Sequence, residues 1–507
     1  MPGTDRVHWR NIRPYPRRNQ ACGVPLLWRG TFLPRRIRPL CPGFRQISRV
    51  LNPPSATPPP VPFAQRLTWG AGSLATISYL NVFTALALYY LTLVLKMDPA
   101  LAGLLITLAR LIDAFSDPLM GWVTDHTHTP MGRRRPYLLL GAVICGASLP
   151  AVFSMHSLFE GMPPAWGAVM IVLVFYSLGF TIFNVPYLTI PVEMTRNRIQ
   201  RLSLMSYRSA FMMVGAMLGA AGAPALVEVL GGDTDPGAYQ TMGLMFGALV
   251  IVFMLIPFFG TRGAYAAPLE QQPSLSLWQQ VRTVAANRPF VLLIGAKCTQ
   301  FVALAVTGGT SVFMFTVVLK QPFTLLPWLA LASTFTILAG IPFWKWCGRF
   351  MTKRRGVLIG AAGEALASLT WLLASPDWTR ETLILFLVAR GIVGGFFGSA
   401  ILLYSQAMWL DTIDYDQERT GLRREGLYTS VYVFVERLGY SAGPLLVGLF
   451  LGASGFNPDL APENQPASAV TAVLICMVAI PTIAQLGMLF FVWLYRLPEI
   501  IDGKTKI

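Results

Sequence analysis

The sequence predicts an all-α membrane protein of twelve transmembrane helices arranged as two six-helix halves. Three observations carry this. The chain is 54% hydrophobic and only 13% charged, where soluble domains carry about 25% charge. Apolar runs of about 20 residues, each long enough to cross a bilayer, recur from residue 69 almost to the end. Basic residues crowd the loops after every second run and avoid the loops between. A soluble helical enzyme would instead show shorter amphipathic stripes with charged outer faces.

In chain order, the spans are expected at roughly 69–95, 99–124, 135–157, 164–190, 203–230, 240–260, 289–318, 324–344, 356–375, 381–409, 425–453 and 470–496, to within a few residues at each end. The even-to-odd loops hold Arg133, Arg134 and Arg135, then Arg196, Arg198 and Arg201, then Arg262, Arg282 and Arg288. They continue with Lys345, Arg349, Lys353, Arg354 and Arg355, and with Arg419, Arg423 and Arg424. The odd-to-even loops hold only Lys96, Lys320 and Arg380. That bias places the basic loops and both termini in the cytoplasm of a multi-pass plasma (inner) membrane protein. It also supports the helix count, because a missed span would put later clusters on the wrong side.

Residues 1–62 stand apart. They hold eleven arginines, no lysine and one acid, Asp5, so +10 of the net +16 lies there and +6 remains for the rest. The basic balance therefore describes an odd extension and ordinary loop charges, with no case for nucleic acid. Pro14, Pro16, Pro34, Pro39 and Pro58-Pro59-Pro60 break any amphipathic helix. No signal-peptide core is present. The segment is expected to be disordered, with Val50, Leu51 or Val61 as alternative starts of the native chain.

Cys22, Cys41, Cys145, Cys298, Cys347 and Cys476 show no metal-site spacing and no disulfide framework. The four histidines form no HExxH pattern, and a phosphate-binding Gly-x-x-x-x-Gly-Lys-Ser/Thr loop is missing. No enzyme, no ATP-driven step and no cofactor is expected, beyond a coupling ion.

A polar linker, 261–288, separates the halves at 63–260 and 289–507. Each half carries a basic loop after its second span: Gly132-Arg-Arg-Arg-Pro136 in one, Gly348-Arg-Phe-Met-Thr-Lys-Arg-Arg355 in the other. Matching loops in matching places imply a duplicated unit, the layout of a major facilitator transporter with a cavity between halves. Asp125, Arg133, Arg134 and Arg135 are candidate gating residues, since such arginines can pair with helix-end acids or cap helix C-termini. Plain topology signalling accounts for part of the same charge.

The second span carries the sharpest motif, Arg110-x-x-Asp113-x-x-x-Asp117-Pro-x-x-Gly121. At about 100° per residue these four share a narrow helix sector. Ionisable groups at such depth face protein or a wet cavity. Two acids one turn apart are oxygen ligands for a small cation, or a proton-binding pair. The plainer reading is that Arg110 pairs with one acid and closes the bundle.

This motif, with Gly132-Arg-Arg-Arg-Pro136, resembles the glycoside–pentoside–hexuronide:cation symporter family, of the melibiose-permease type. Asn184-Val-Pro186-Tyr187-x-x-x-x-Pro191-x-Glu193-Met-Thr195 is similar to the end of that family's fourth helix. Asp411-x-x-Asp414-Tyr415-Asp416-x-x-x-Thr420-Gly421-x-Arg423-Arg424-Glu425-Gly426 is similar to its junction of helices 10 and 11. The resemblance covers residues 65–500. It implies that Asp113 and Asp117 bind the coupling cation, as metal ligands if that cation is Na+. Ser116, Thr181 and Asn184 complete the site; melibiose-type members have an amide and an aspartate where Ser116 and Asn184 stand. It matches Arg208 and Arg437 to basic positions on helices 5 and 11.

The sugar ligands of that type are not retained. The first span has no acid, reading Ala75-Thr-Ile-Ser-Tyr79; the sugar-stacking tryptophan becomes Leu188 and a glutamine becomes Tyr432. Candidate substrate-binding residues are Arg110, Tyr187, Arg208, Tyr428, Tyr432 and Arg437. Tyr428 and Tyr432 lie one turn apart and read equally as an aromatic face or as packing. Lys297, Gln300, Arg390, Glu364 and Glu436 are further intramembrane polar groups, each open to a structural or a cavity role. Gly215–Gly222 and Gly391–Gly398 read as close-packing stripes.

The expected function is alternating-access symport of a sugar, glycoside or glycoside-like solute with Na+ or H+, by a monomer whose partners are that small molecule and membrane lipids. Arginines in the pocket favour an acidic glycoside such as a glucuronide. An amphiphilic, lipid-like substrate, an uncoupled facilitator or exporter, and a non-transporting membrane receptor are the alternatives.

Overall fold

The computed structural model describes residues 61–159, 165–195, 198–262, 282–421, 424–497, 499–501 and 504–506. Residues 1–60 and most of the 261–288 linker lie outside them. Twelve helices are long and apolar enough to cross a membrane. They are α1 (Phe63–Val94), α2 (Pro99–His126), α3 (Arg135–Phe153), α4 (Trp166–Met194), α5 (Ser203–Leu230, entered by a helical turn from Arg198) and α6 (Pro236–Gly260). Then follow α7 (Arg288–Val318), α8 (Phe323–Cys347), α9 (Lys353–Leu373), α10 (Arg380–Thr420), α11 (Glu425–Ala453) and α12 (Ala467–Leu494).

Local chemistry sets the helix starts. Asp98, Asp235 and Asn287 accept the backbone N–H of Leu101, Gly237 and Phe290, and a proline stands in the first turn of each of these helices. Thr352 and Thr379 cap α9 and α10 in the same way. Three boundaries differ from expectation. Val61, placed in the extension, is 4% exposed and donates its N–H to Gln200 Oε1 at 3.3 Å. Helix α10 runs eleven residues past the expected end at 409, through Asp411 to Arg419, because hydropathy stops where the backbone does not. It ends at Gly421, whose φ of 70° needs a residue without a Cβ. The C-terminus adds an unexpected antiparallel hairpin of β1 (Glu499–Ile501) and β2 (Lys504–Lys506) to an otherwise all-α fold.

The packing repeats. Helix α1 packs on α5 and α6, α2 on α4, and α3 on α4 and α6; α7 packs on α11 and α12, α8 on α10, and α9 on α10 and α12. Each pairing returns six helices later. The backbone repeats too: α1 and α7 both end in a π turn, Tyr90–Val94 and Met314–Val318. After each comes a lysine in the left-handed region, Lys96 and Lys320. The underlying stretches, Thr92-Leu-Val-Leu-Lys96 and Thr316-Val-Val-Leu-Lys320, are four-fifths identical. The π turns of α5 and α12 each precede a proline, Pro224 and Pro481, which supplies no N–H to the helix ladder.

Between α1–α6 and α7–α12 the main contacts are α2 on α11, α5 on α8, and α1 on α7. The tightest lie toward the face carrying loops 95–98, 231–235, 319–322 and 454–466. There a Cβ on Gly103 would collide with the Pro444 carbonyl, and one on Gly448 with that of Pro99. Thr107 donates to Ser441 O at 2.9 Å, Lys96 to Pro458 O, and the Phe323 N–H to Glu228 at 3.4 Å. Glycine also sets the spacing inside each group: Gly215 and Gly219 press on α1, Gly439 and Gly443 on α7, Gly391 and Gly395 on α8. Helices α1 and α7, the most buried spans, form the core. On the opposite face the ion pairs Asp125–Arg134, Lys353–Asp411 and Asp416–Arg424 each stay within one group of helices.

The α2–α11 seam makes a test. Gly103→Val drives a branched side chain into the Pro444 carbonyl, and overpacking of this kind costs about 1–3 kcal/mol. The expected outcome is a lower melting temperature for the purified protein, with greater labelling of a cysteine placed at position 444 on this face.

Candidate functional site

Charged side chains from α2, α5, α7 and α11 gather at mid-depth, at the inner end of that seam. Helix α2 presents Asp113 and Asp117 one turn apart, as their spacing requires. Arg437 of α11 meets both: Nη2 lies 3.0 Å from Asp117 Oδ2, and Nη1 lies 3.9 Å from Asp113 Oδ2. Asp113 is 1% exposed at its side chain and Asp117 16%. Thr181 of α4 donates its hydroxyl to Asp117 Oδ1 at 2.9 Å, and Ser116 Oγ lies 3.1 Å from Thr181 Oγ1. Asp113 Oδ1 is buried without a hydrogen bond. Two carboxylates and two hydroxyls thus converge, with a guanidinium held against them. This is hard-oxygen chemistry for a small cation or a proton. Among the described residues no group of three or more His, Cys, Asp or Glu gathers.

Arg110 does not form an ion pair with its neighbours on α2. Its Nη2 donates to Thr84 Oγ1 on α1 at 3.3 Å, and its guanidinium lies over Phe83 at 4.8 Å and Tyr176 at 5.9 Å. The arginine that closes on the acids comes from α11 instead. Arg437 in turn lies 5.0 Å from the Phe180 ring. Stacked rings of Phe83, Tyr176, Tyr79 and Phe180 therefore back the two guanidiniums.

The other expected site residues divide. Arg208 of α5 and Tyr432 of α11 are half-buried near the cluster, and both have Glu436 as an electrostatic neighbour. Asn184 is half-buried one turn beyond Thr181 on α4, with no hydrogen bond to the acids. Tyr187 and Tyr428 are fully buried and sit in helix packing. The Tyr187 hydroxyl is 2.6 Å from Trp69 O and 2.7 Å from Ser73 Oγ, and its ring stacks on Trp69. Tyr428 accepts from Asn287 Nδ2 at 3.2 Å and packs edge-on against Phe290. Of the pair on α11, only Tyr432 borders the charged cluster, against Phe301 and Trp409.

At the terminus-bearing face Arg134 lies 3.4 Å from Asp125. Arg135 donates to Phe258 O at 2.7 Å and stacks on the Phe258 ring, while Arg133 is half-buried. The second basic loop does the same by pairing a loop lysine with the first acid of the helix 10–11 motif: Lys353 Nζ reaches both Asp411 oxygens at 2.5 and 2.7 Å. Thr84 and the aromatic backing were also missed. A polar residue or a ring inside an apolar run looks like packing until its neighbour is a buried arginine.

A bundle of twelve spans with acids and arginines meeting at mid-depth defines a membrane transporter. A family model described as MFS/sugar transport protein matches residues 68–499. The chain belongs to this family, the glycoside–pentoside–hexuronide group of major facilitator transporters. It is 25% identical to the isoprimeverose transporter of Lactiplantibacillus pentosus, over 85% of this chain and 89% of that one. It is 24% identical to the inner membrane symporter YicJ of Escherichia coli (strain K12), over 83% of this chain and 89% of that one. A solved bacterial homologue of the human lysosomal transporter Spinster shares the fold with a TM-score of 0.60 at 16% identity, over 85% of this chain and 97% of that one. The protein is a transporter of the sugar-transport, symporter type and not an enzyme.

Removing one partner of a buried ion pair costs about 3–5 kcal/mol, because the other charge is left uncompensated. Arg437→Ala and Asp117→Ala should each lower unfolding stability, and the double variant should lose far less than the sum. A double-mutant cycle in denaturant measures this coupling; additive losses would mean the two side chains do not interact.

Proposed function

We propose that the protein is a symporter in the inner (plasma) membrane that couples Na+ or H+ entry to uptake of a sugar, glycoside or glycoside-like solute. The observation that carries this reading is the Asp113–Asp117 pair, built with Ser116 and Thr181 on α2 and α4 and closed by Arg437 from α11. A cation binding there satisfies the two carboxylates in place of Arg437. The guanidinium is then released from α2, and the strongest mid-depth link between α1–α6 and α7–α12 is loosened. These two groups act as the rocking halves, with the seam at Gly103 and Pro444 as the closed gate and the terminus-bearing face as the open, cytoplasmic side. The Asp125–Arg134, Arg135–Phe258 and Lys353–Asp411 contacts hold each half rigid at that side. The chain works as a monomer, and both termini are cytoplasmic.

The driving force is adequate. A potential of 100 mV contributes about 2.3 kcal/mol per charge carried across, more than the roughly 1.4 kcal/mol needed for tenfold accumulation. Arg110, Arg208, Lys297 and Glu436 around the cavity favour a polar solute over a lipid-like one, since a lipid tail offers them no partner.

The test is uptake into proteoliposomes under imposed Na+ or H+ gradients. Wild-type protein should concentrate its solute at least tenfold when one of the two gradients points inward. Asp113→Asn and Asp117→Asn should still equilibrate solute but fail to concentrate it. Accumulation by either variant against a gradient removes that carboxylate from the coupling site.

A further inference from the structure

The polar continuation of α10 carries much of the helix 10–11 junction motif, and neither takes part in cation binding. Together with the helical turn at 282–285 and the entry to α11, it encloses a cavity of about 360 Å3 at the terminus-bearing face. Three guanidiniums line this cavity: Arg282 from the turn, Arg419 from the end of α10 and Arg424 from the entry to α11. One carboxylate, Asp416, lines it with them. The arginines are loosely held. Arg419 Nη1 donates to the Ala286 carbonyl at 3.5 Å, and Arg424 Nη1 stands 3.9 Å from Asp416 Oδ2. Among the described residues Arg282 takes part in no ion pair. Asp416 Oδ2 is buried without a hydrogen bond. Thr283 and Tyr415 add a hydroxyl and a ring to the lining. The wall behind them is firm. Asn287 donates to Thr412 O at 2.9 Å and to the Tyr428 hydroxyl at 3.2 Å, and it accepts from the Phe290 N–H at 3.2 Å. Arginines that only mark topology need no shared cavity; these three converge on one.

We propose that this cavity binds a phosphate monoester of sugar size, a phosphorylated sugar or polyol, from the cytoplasm. Binding here does not depend on the symport reading; its effect on uptake does. Charge selects the class. Three guanidiniums against one carboxylate leave +2 around the cavity, and a phosphate monoester carries about −1.5 to −2 at neutral pH. A lone carboxylate or sulfonate balances only half of that charge. Arginine forks also match phosphate oxygens two at a time. Size agrees: the cavity lies at the small end of the range of about 300–1,000 Å3 for small-molecule pockets, which suits one sugar ring with its phosphate. The remaining lining suits the sugar. The unpartnered Asp416 oxygen and the Thr283 hydroxyl can bond sugar hydroxyls, and the Tyr415 ring offers an apolar face to the C–H side of the ring. Arg282 and Arg419 are exposed, so the attraction is screened by salt. A phosphate held by all three arginines joins the turn before α7, the end of α10 and the start of α11. Helix α11 carries Arg437, so an occupied site restrains the helix that must let go of α2. A phosphorylated sugar is what a kinase-class reaction makes of an imported one, and the site thereby slows uptake when that product accumulates.

The test uses purified full-length protein in phosphatidylcholine nanodiscs, with binding read by calorimetry and thermal shift. The probes are glucose 6-phosphate, ribose 5-phosphate, the two parent sugars and inorganic phosphate. At least one sugar phosphate should bind saturably, about tenfold or more tightly than its parent sugar and more tightly than inorganic phosphate, and should weaken as salt is raised. Arg282→Gln and Arg419→Gln should each weaken it about tenfold or more, while Arg419→Lys should keep part of the affinity. Thr283→Asp sets a carboxylate at the rim and leaves every arginine in place; it should abolish binding with the melting temperature unchanged. No saturable binding of either sugar phosphate, or binding that these variants leave untouched, overturns the site. Phosphatidic acid added to the nanodisc separates the two sources of a phosphate monoester. If the lipid displaces the sugar phosphate, the arginines hold a headgroup and the metabolite is overturned. In proteoliposomes, the sugar phosphate on the cytoplasmic side should lower uptake about twofold or more in wild type and not in Thr283→Asp. Binding with uptake unchanged overturns the effect on transport. Binding without gradient-driven uptake of any solute overturns symport and leaves the site standing.

Discussion

The contact between Arg437 and the Asp113–Asp117 pair is the interaction on which the rest of this structure depends. Two carboxylates one turn apart on a membrane helix repel each other and lose most of their hydration. They persist at 1% and 16% exposure because a guanidinium from α11 lies 3.9 and 3.0 Å away. That single contact compensates the acids and joins α1–α6 to α7–α12 at mid-depth. The aromatic rings behind Arg437 and Arg110 hold both guanidiniums without offering a competing charge.

The surrounding bundle serves that contact. Helix α2 can approach α11 because Gly103 and Gly448 remove the side chains that would separate them. The Thr107–Ser441 bond fixes the register of the two helices just above the acids. Helix α4 brings Thr181 to Asp117, while Tyr187, one and a half turns on, locks α4 to α1 through Trp69 and Ser73. Tyr187 is therefore a positioning residue, which explains why a tyrosine beside the acid site makes no opening to the cavity.

Much of this was legible in the sequence. Apolar runs and loop charges located all twelve spans because burying backbone polar groups in lipid leaves little choice but a helix of about 20 residues. The Arg110–Asp113–Asp117 spacing placed the acids on one face because helix geometry is fixed at short range. What the sequence could not reveal is which distant residue meets them. Arg110 was the nearer candidate and Arg437 the actual partner, a choice made by the packing of α2 on α11 across more than 300 residues of chain. Tyr428 was misleading for the same reason: a tyrosine facing a cavity and one bonded to Asn287 at a helix end have the same spacing. The polar continuation of α10 was missed because hydropathy reports the membrane and not the helix.

The central claim is that Arg437 is a resident cation that the coupling ion must displace from Asp113 and Asp117. Its most direct test is the affinity of the purified protein for the coupling cation, Na+ or H+, in the wild type and in Arg437→Gln, with folding checked by melting. Removing the competitor should raise cation affinity at least tenfold. An affinity that is unchanged or weaker in Arg437→Gln would contradict the account and make Arg437 a structural counter-ion with no part in coupling.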